Sequence, residues 1–413
     1  MKQKLIRFIS KIVQTAVKTE FNEQILNLSA EKNKEFIINR YINFAVPNAI
    51  NFNYDFLKNK TLSFTNSLQI DNKIGMFKYS QSTSKPNLYS SVYACLIFSL
   101  YDEIDSLTKN DRTQWATYLN SFQSENDGLY YDEALKNHLF NDSDWWGARH
   151  LALHLISALT ALDSKPKFPF KFLEYFYKEE NLLIWLDSNN WEGDFSHRND
   201  IDNKVMNIGC LLQYSRDAFQ DKSAGDSLSI LTDYLKSKVI EKSGIWGNDN
   251  LGDPYSLSRM IQFTYHLLMI FFYDNLKLDN KETIIDLTLK TQNNYGGFGV
   301  TMNSSACEDI DSIELLTRMS RLTNYRSEEI RLAINKALVW ILTNMNDDGG
   351  FVFRRNEAFQ YGHDEMYSGI NESSLFATWF RTLSLAYIAK YLQLENSFRV
   401  IRSPGYQFLS DCK

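Results

Sequence analysis

Carboxylates stand out among the residues able to do chemistry. Glu308, Asp309 and Asp311 place three acids within four positions, where a glycine turn and a polar loop give way to an apolar-periodic segment. At a helix start such side chains accept hydrogen bonds from free backbone N–H groups and complement the helix dipole. Their other use is to deliver a proton. A carboxyl that protonates carbon near neutral pH must stay protonated there, through burial or a second carboxylate nearby, because two like charges a few ångströms apart do not both ionise. His363, Asp364, Glu365 and Glu372, following Tyr361, form a second cluster that offers acid–base partners. Two carboxylates at suitable separation also serve glycoside hydrolysis.

Other groups are less specific. His150 and His154, four apart, share one helical face but lack the adjacent Glu of a zinc metalloprotease, so the spacing reads as packing histidines. Asp144, Trp146, Arg149 and His150 open an apolar segment and would reach a cavity at its start. Arg259 and Arg381 would bind an anionic group such as a diphosphate, with Mg²⁺ accompanying it, or would form internal ion pairs. Phosphate loops, nucleophile elbows and dinucleotide fingerprints are absent from the sequence.

The elements that must position these residues are set by a repeat. Glycine-aromatic turns recur at Gly75, Gly128, Gly193, Gly244, Gly296 and Gly349, in steps of 53, 65, 51, 52 and 53 residues. Each is followed by a polar loop and a segment apolar nearly all round: 88–100, 144–162, 203–214, 255–272, 309–322 and 371–392. Such segments read as buried helices. Amphipathic segments at 110–123, 168–187, 223–241, 280–293 and 327–344 alternate with them as a solvent-facing layer. Strand signals are weak. The pattern predicts an all-α protein, a single (α/α)6 toroid formed as a double ring of helices, with an N-terminal helical extension. It divides into 1–60, helices packing on the toroid, and 61–413, the toroid of six repeats.

Composition narrows the partners. The 44% apolar content supports a large core, and a net charge of −6 without any basic block argues against nucleic acid. Four cysteines without paired spacing suit a reduced, cytoplasmic setting. Residues 1–20 are basic and amphipathic, and would pack as a helix or touch a membrane peripherally. The apolar run 265–273 is too short to span a bilayer.

The stretch Gln292-Asn-Asn-Tyr-Gly-Gly-Phe298 resembles the Q-x-x-x-G-x-W repeat of squalene-hopene and oxidosqualene cyclases, with Phe298 in place of Trp. In those class II terpene cyclases an Asp-x-Asp-Asp motif follows on an inner helix, and Asp309-Ile310-Asp311-Ser312 stands in that place. The resemblance implies that Asp311, matching the middle acid, protonates an alkene or epoxide. Asp309 would then tune it, with Glu308 and His363 accessory. Ser312 replaces the last acid of the motif, and Ile313-Glu314 replaces the usual Thr-Ala. Protein prenyltransferase β subunits share the toroid and hold zinc with Asp, Cys and His. Cys307, Asp309 or Asp311, and His363 invite that comparison, but their order and spacing differ, and no metal is assigned.

The expectation is therefore a terpene cyclase-like enzyme acting on a small-molecule or lipid-like isoprenoid. Its cation would face an aromatic rim drawn from Trp145, Trp146, Trp191, Trp246, Phe298, Phe351, Tyr361 and Trp379, with Glu372 beside it. The alternatives are a carbohydrate-active toroid, hydrolase or lyase, and a toroid that binds glycan or lipid without catalysis.

Overall fold

The computed structural model describes residues 45–46, 49–50, 52–136, 146–192, 200–248, 250–299, 303–399 and 401–406. The N-terminal amphipathic segment, Asp144, Trp145 and Cys412 lie outside them. A two-residue hairpin pairs β1 (Ala45–Val46) with β2 (Ala49–Ile50). Among the described residues twelve α-helices then alternate between two layers. The outer layer is α1 (Tyr54–Ser67), α3 (Lys109–Asn120), α5 (Glu179–Asp187), α7 (Lys222–Ser237), α9 (Lys281–Lys290) and α11 (Ser327–Thr343). The inner layer is α2 (Leu88–Leu100), α4 (Ala148–Ala161), α6 (Ile201–Ala218), α8 (Pro254–Tyr273), α10 (Ala306–Met319) and α12 (Leu375–Leu392).

Sequence explains which layer each helix joins. All of α2 is buried, whereas α3 buries only Trp115, Ala116 and Leu119. An all-apolar surface has to be covered on every side, and a stripe on one side only. Inner helices pack in sequence, α2 on α4, α4 on α6, α6 on α8, α8 on α10 and α10 on α12. Contact between α12 and α2 closes the ring. The boundary at residue 60 falls inside α1, which is the first outer helix.

The repeat turns are the joints between successive units. Phe77, Tyr130, Trp246, Phe298 and Phe351, each two residues after its glycine, are buried. Gln292 Nε2 donates to Gly296 O at 2.9 Å and to Ala333 O on α11 at 2.8 Å, and Gln123 Nε2 makes the same double bond to Gly128 O and Phe168 O. Gly349 has φ +93°, and a Cβ there would stand 2.1 Å from Lys60 O on α1. Only glycine allows this approach. The contact also ties the last repeat to the first.

Inner helices start where side chains cap them. Ser305 and Glu308 form a capping box, so α10 begins at Ala306, three residues before the periodic run. Left-handed Asn371 and the cap of Ser374 delay α12 to Leu375. Before α12 the sixth rim loop carries a short antiparallel pair, β3 (Phe359–Gln360) and β4 (Tyr367–Ser368).

After α12 the chain crosses the C-terminal ends of the inner helices and turns up the axis. Arg399 N donates to Leu100 O and Arg402 Nη2 to Tyr273 O, both at helix ends. Ser403 and Pro404 meet Ser157, Gly405 meets Leu153, and Tyr406 reaches His154.

Candidate functional site

Asp309 and Asp311 are two residues apart on α10 and have opposite surroundings. Asp309 is fully buried, and its two oxygens accept four donors: Phe298 N at 2.7 Å, Ser304 Oγ at 2.9 Å, Trp340 Nε1 at 2.8 Å, and Arg381 Nη1. Arg381 Nη2 also donates to Ser304 O and Phe353 O. The carboxylate thus joins a repeat turn, α10, α11 and α12, with no lone pair left for a substrate or for Asp311. Glu308 Oε2 accepts Ser305 N at 2.7 Å in the capping box and Arg354 Nη2 at 2.9 Å.

Asp311 is 2% exposed, and its Oδ2 is buried without a hydrogen-bond partner. Burial pushes its carboxyl well above the usual range, and the neighbouring Glu314 carboxylate adds to the effect, opposed by Arg259. Glu314, one turn along α10, accepts Arg318 Nε at 2.6 Å and Tyr265 OH at 2.7 Å. Glu314, held by Arg318 and Tyr265, therefore stands beside an acid whose proton is harder to lose.

Beside this acid is a constellation that sequence reasoning missed. Asp202, in the first turn of α6 and wholly buried, accepts Arg259 Nη1 and Nη2 at 2.7 and 2.6 Å. His266 Nδ1 lies 2.7 Å from Asp202 Oδ2. Burial opposes ionisation of Asp202, but the Arg259 guanidinium and His266 outweigh it and hold the carboxyl well below its ordinary range. A carboxylate only accepts, so His266 Nδ1 carries the hydrogen of this contact. One signal was available: Arg259 and His266 are seven apart, two turns along the same face of α8.

Aromatic rings pack against one another around these groups. Tyr361 stacks on Phe376 at 4.4 Å, Trp379 packs on Phe380 at 4.4 Å and on Tyr93 at 5.3 Å, and Trp146 stacks on Tyr89 at 5.0 Å. His150 and His154 are buried in this cluster with their Nε2 atoms 3.2 Å apart, and Tyr89 OH lies 2.7 Å from His150 Nδ1. Burial pushes His150 down to about 3 and His154 well below its ordinary value, so both are neutral packing groups.

Several candidates serve the frame instead of the axis. Trp246 Nε1 donates to Leu235 O, joining the fourth repeat turn to α7, and Phe298 and Phe351 are wholly buried turn aromatics. Trp191 packs against Tyr234. Arg149 lies over the rings of Phe172 and Phe176. Arg259 and Arg381, the candidates for an anionic group, are each held by a buried carboxylate. His363 sits between Lys136 O and Glu365 N, Glu365 accepts Ser84 N and Lys85 N, and Glu372 accepts Ser82 N. These bonds staple the sixth rim loop to the loop before α2, so the second acidic cluster seals a seam and does not face Asp311. Among the described residues no three His, Cys, Asp or Glu side chains gather as a metal-ligand set.

A separate rim pocket of about 310 Å³ opens where α2 and α4 begin, lined by Tyr89, Tyr130, Tyr131, Asp132, Glu133 and Trp146, among others. Asp132 accepts Leu88 N at 2.7 Å and Ala134 N at 2.8 Å, and burial raises its carboxyl above the ordinary value.

Six inner and six outer helices closed on themselves define an (α/α)6 toroid. The chain belongs to the prenyltransferase alpha-alpha toroid domain family, which it matches over residues 31–145 and 188–401. No curated protein matches it. Solved structures to which the chain is similar match it at low identity. A GH76 α-mannanase from Bacteroides thetaiotaomicron is 11% identical, with 84% of this chain and 98% of that one covered and a TM-score of 0.44. A GH76A α-1,6-mannanase from Salegentibacter sp. HEL1_6 is 10% identical, covering 82% and 100%, with a TM-score of 0.45. A polysaccharide lyase is 11% identical, covering 89% and 99%, with a TM-score of 0.40. Among the described residues no helix is long and apolar enough to cross a membrane.

Proposed function

We propose that the protein is an enzyme of class II terpene cyclase type, in which Asp311 protonates an isoprenoid or comparable apolar substrate inside the toroid. The observation that carries this reading is a buried carboxyl whose Oδ2 has no partner, in an interior of aromatic rings. Burial and Glu314 keep the proton on Asp311 until a carbon–carbon double bond accepts it. The carbon cation so formed is stabilised by ring faces such as those of Tyr93 and Trp379. His266 Nε2, oriented by Asp202, takes a proton from an adjacent carbon and closes the reaction as a cyclisation or isomerisation. Asp309 supports the acid by fixing the start of α10.

A carbohydrate-active enzyme is the second reading, and the rim pocket favours it. Tyr130, Tyr131 and Trp146 offer faces for a sugar ring, and Asp132 is a carboxyl raised by burial beside Glu133. The two readings separate in one experiment. Purified protein is incubated with linear isoprenoid alcohols and diphosphates and with oligosaccharides, and products are followed by mass spectrometry for wild type, Asp311→Asn and Asp132→Asn. Isoprenoid turnover lost only in Asp311→Asn supports the first reading. Sugar turnover lost only in Asp132→Asn replaces it with the second, and no turnover of either class points to a binding toroid.

A further inference from the structure

The C-terminal segment is built into the axis. Ser403, Pro404, Gly405 and Tyr406 are all buried, and they run along α4 from Ser157 to the level of Leu153 and His154. Gly405 has φ +100°, and a Cβ there would stand 2.9 Å from Leu153, so the path is shaped for this chain. The Gly405 backbone is within hydrogen-bonding reach of the Cys210 thiol on α6. The Tyr406 ring stacks on His154 at 5.4 Å and meets Trp379 at 5.7 Å, Phe380 at 5.3 Å, Tyr265 at 6.3 Å and His266 at 6.4 Å. One ring thus meets Tyr265, which bonds Glu314 one turn from Asp311, as well as the Asp202–His266 pair and the aromatic wall.

Resting on the reading of Asp311 as an acid facing an apolar substrate, we propose that the C-terminal segment is a permanent wall of the site and that Tyr406 is a positioning residue. The segment closes the axis at the C-terminal ends of the inner helices. Its last described ring forms the floor against which an apolar ligand is held beneath Asp311. Approach is then from the opposite rim only. The buried bonds to Ser157, and the glycine required at 405, favour a fixed wall over a displaceable stopper.

The test uses Cys210 as a reporter, in a background where Cys95 is alanine and Cys307 and Cys412 are serine. Its modification by a disulfide thiol reagent is expected to be about a hundredfold faster when residues 402–413 are deleted, in step with local opening. Equal protection in the shortened chain overturns the wall. Saturating geranylgeraniol is expected to leave Cys210 protected, and exposure on adding it overturns the wall in favour of a stopper. Binding of the uncharged fluorophore N-phenyl-1-naphthylamine is then compared in wild type, Tyr406→Phe and Tyr406→Ala, each checked for an unchanged melting temperature. Weakening of about tenfold or more in Ala, restored in Phe, supports the positioning role, and equal affinity in all three overturns it. If the wild type binds no apolar probe, the substrate reading and the role of Tyr406 both fall, while the Cys210 rates still decide the wall.

Discussion

Asp309 and Asp311 show how little a motif's letters say about the work each letter does. Asp309 has four donors, one of them a buried guanidinium, so it is a structural anion. Arg381→Met would leave that anion unpaired, and urea unfolding is expected to show a loss of about 3–5 kcal/mol. Asp311 has a bare oxygen, and its folded carboxyl titrates well above the unfolded value. Above pH of about 4 the unfolded chain therefore releases a proton that the folded chain retains. Stability from this group is highest at low pH and falls by about 1.4 kcal/mol per pH unit until the folded carboxyl ionises. Asp311→Asn is expected to remove that slope above about pH 4 and to cost about 10²–10⁴-fold in turnover, the range for a general acid. An unchanged slope would show that Asp311 is ionised in the fold, and its role as acid would be lost.

At the scale of elements, the turns carried most of what could be read beforehand. A glycine followed two residues later by an aromatic recurs because each repeat must stand close on the next outer helix and bury one ring there. Both layers followed from that period and from the difference between all-round and one-sided apolarity. The candidate acid was legible too, from its distance to Gly296. Asp202 and His266 were not, because only folding brings the first turn of α6 against the middle of α8. His363 and Glu372 were misleading for the reverse reason, since their acid–base types close a loop seam. The turn argument predicts that Gly349→Ala, at φ +93° and 2.1 Å from Lys60 O, lowers the melting temperature by several degrees, equivalent to more than about 1 kcal/mol. Gly252, where an added Cβ meets nothing within 4 Å, should tolerate the same change in the same thermal scan.

The whole molecule differs from an open solenoid because its last repeat packs on its first. In a linear array a terminal unit can be removed with loss of little more than its own interface. Here α1 contacts both α2 and the turn at Gly349, so it belongs to two neighbours at once. Deleting residues 54–67 is expected to abolish the single cooperative thermal transition, followed by circular dichroism, and not merely to trim helix content. A shortened chain that still melts in one sharp step near the wild-type temperature would contradict that account.

The path of residues 401–406 also bears on how the protein is made. Residues 401–406 follow all six repeats in the chain, so the repeats emerge and can associate before the Tyr406 ring takes its place among the inner helices. The axis is therefore completed by a segment made after the walls it meets, and the docking of that segment, not the closing of the repeats, is the step that finishes burying the surroundings of Asp311.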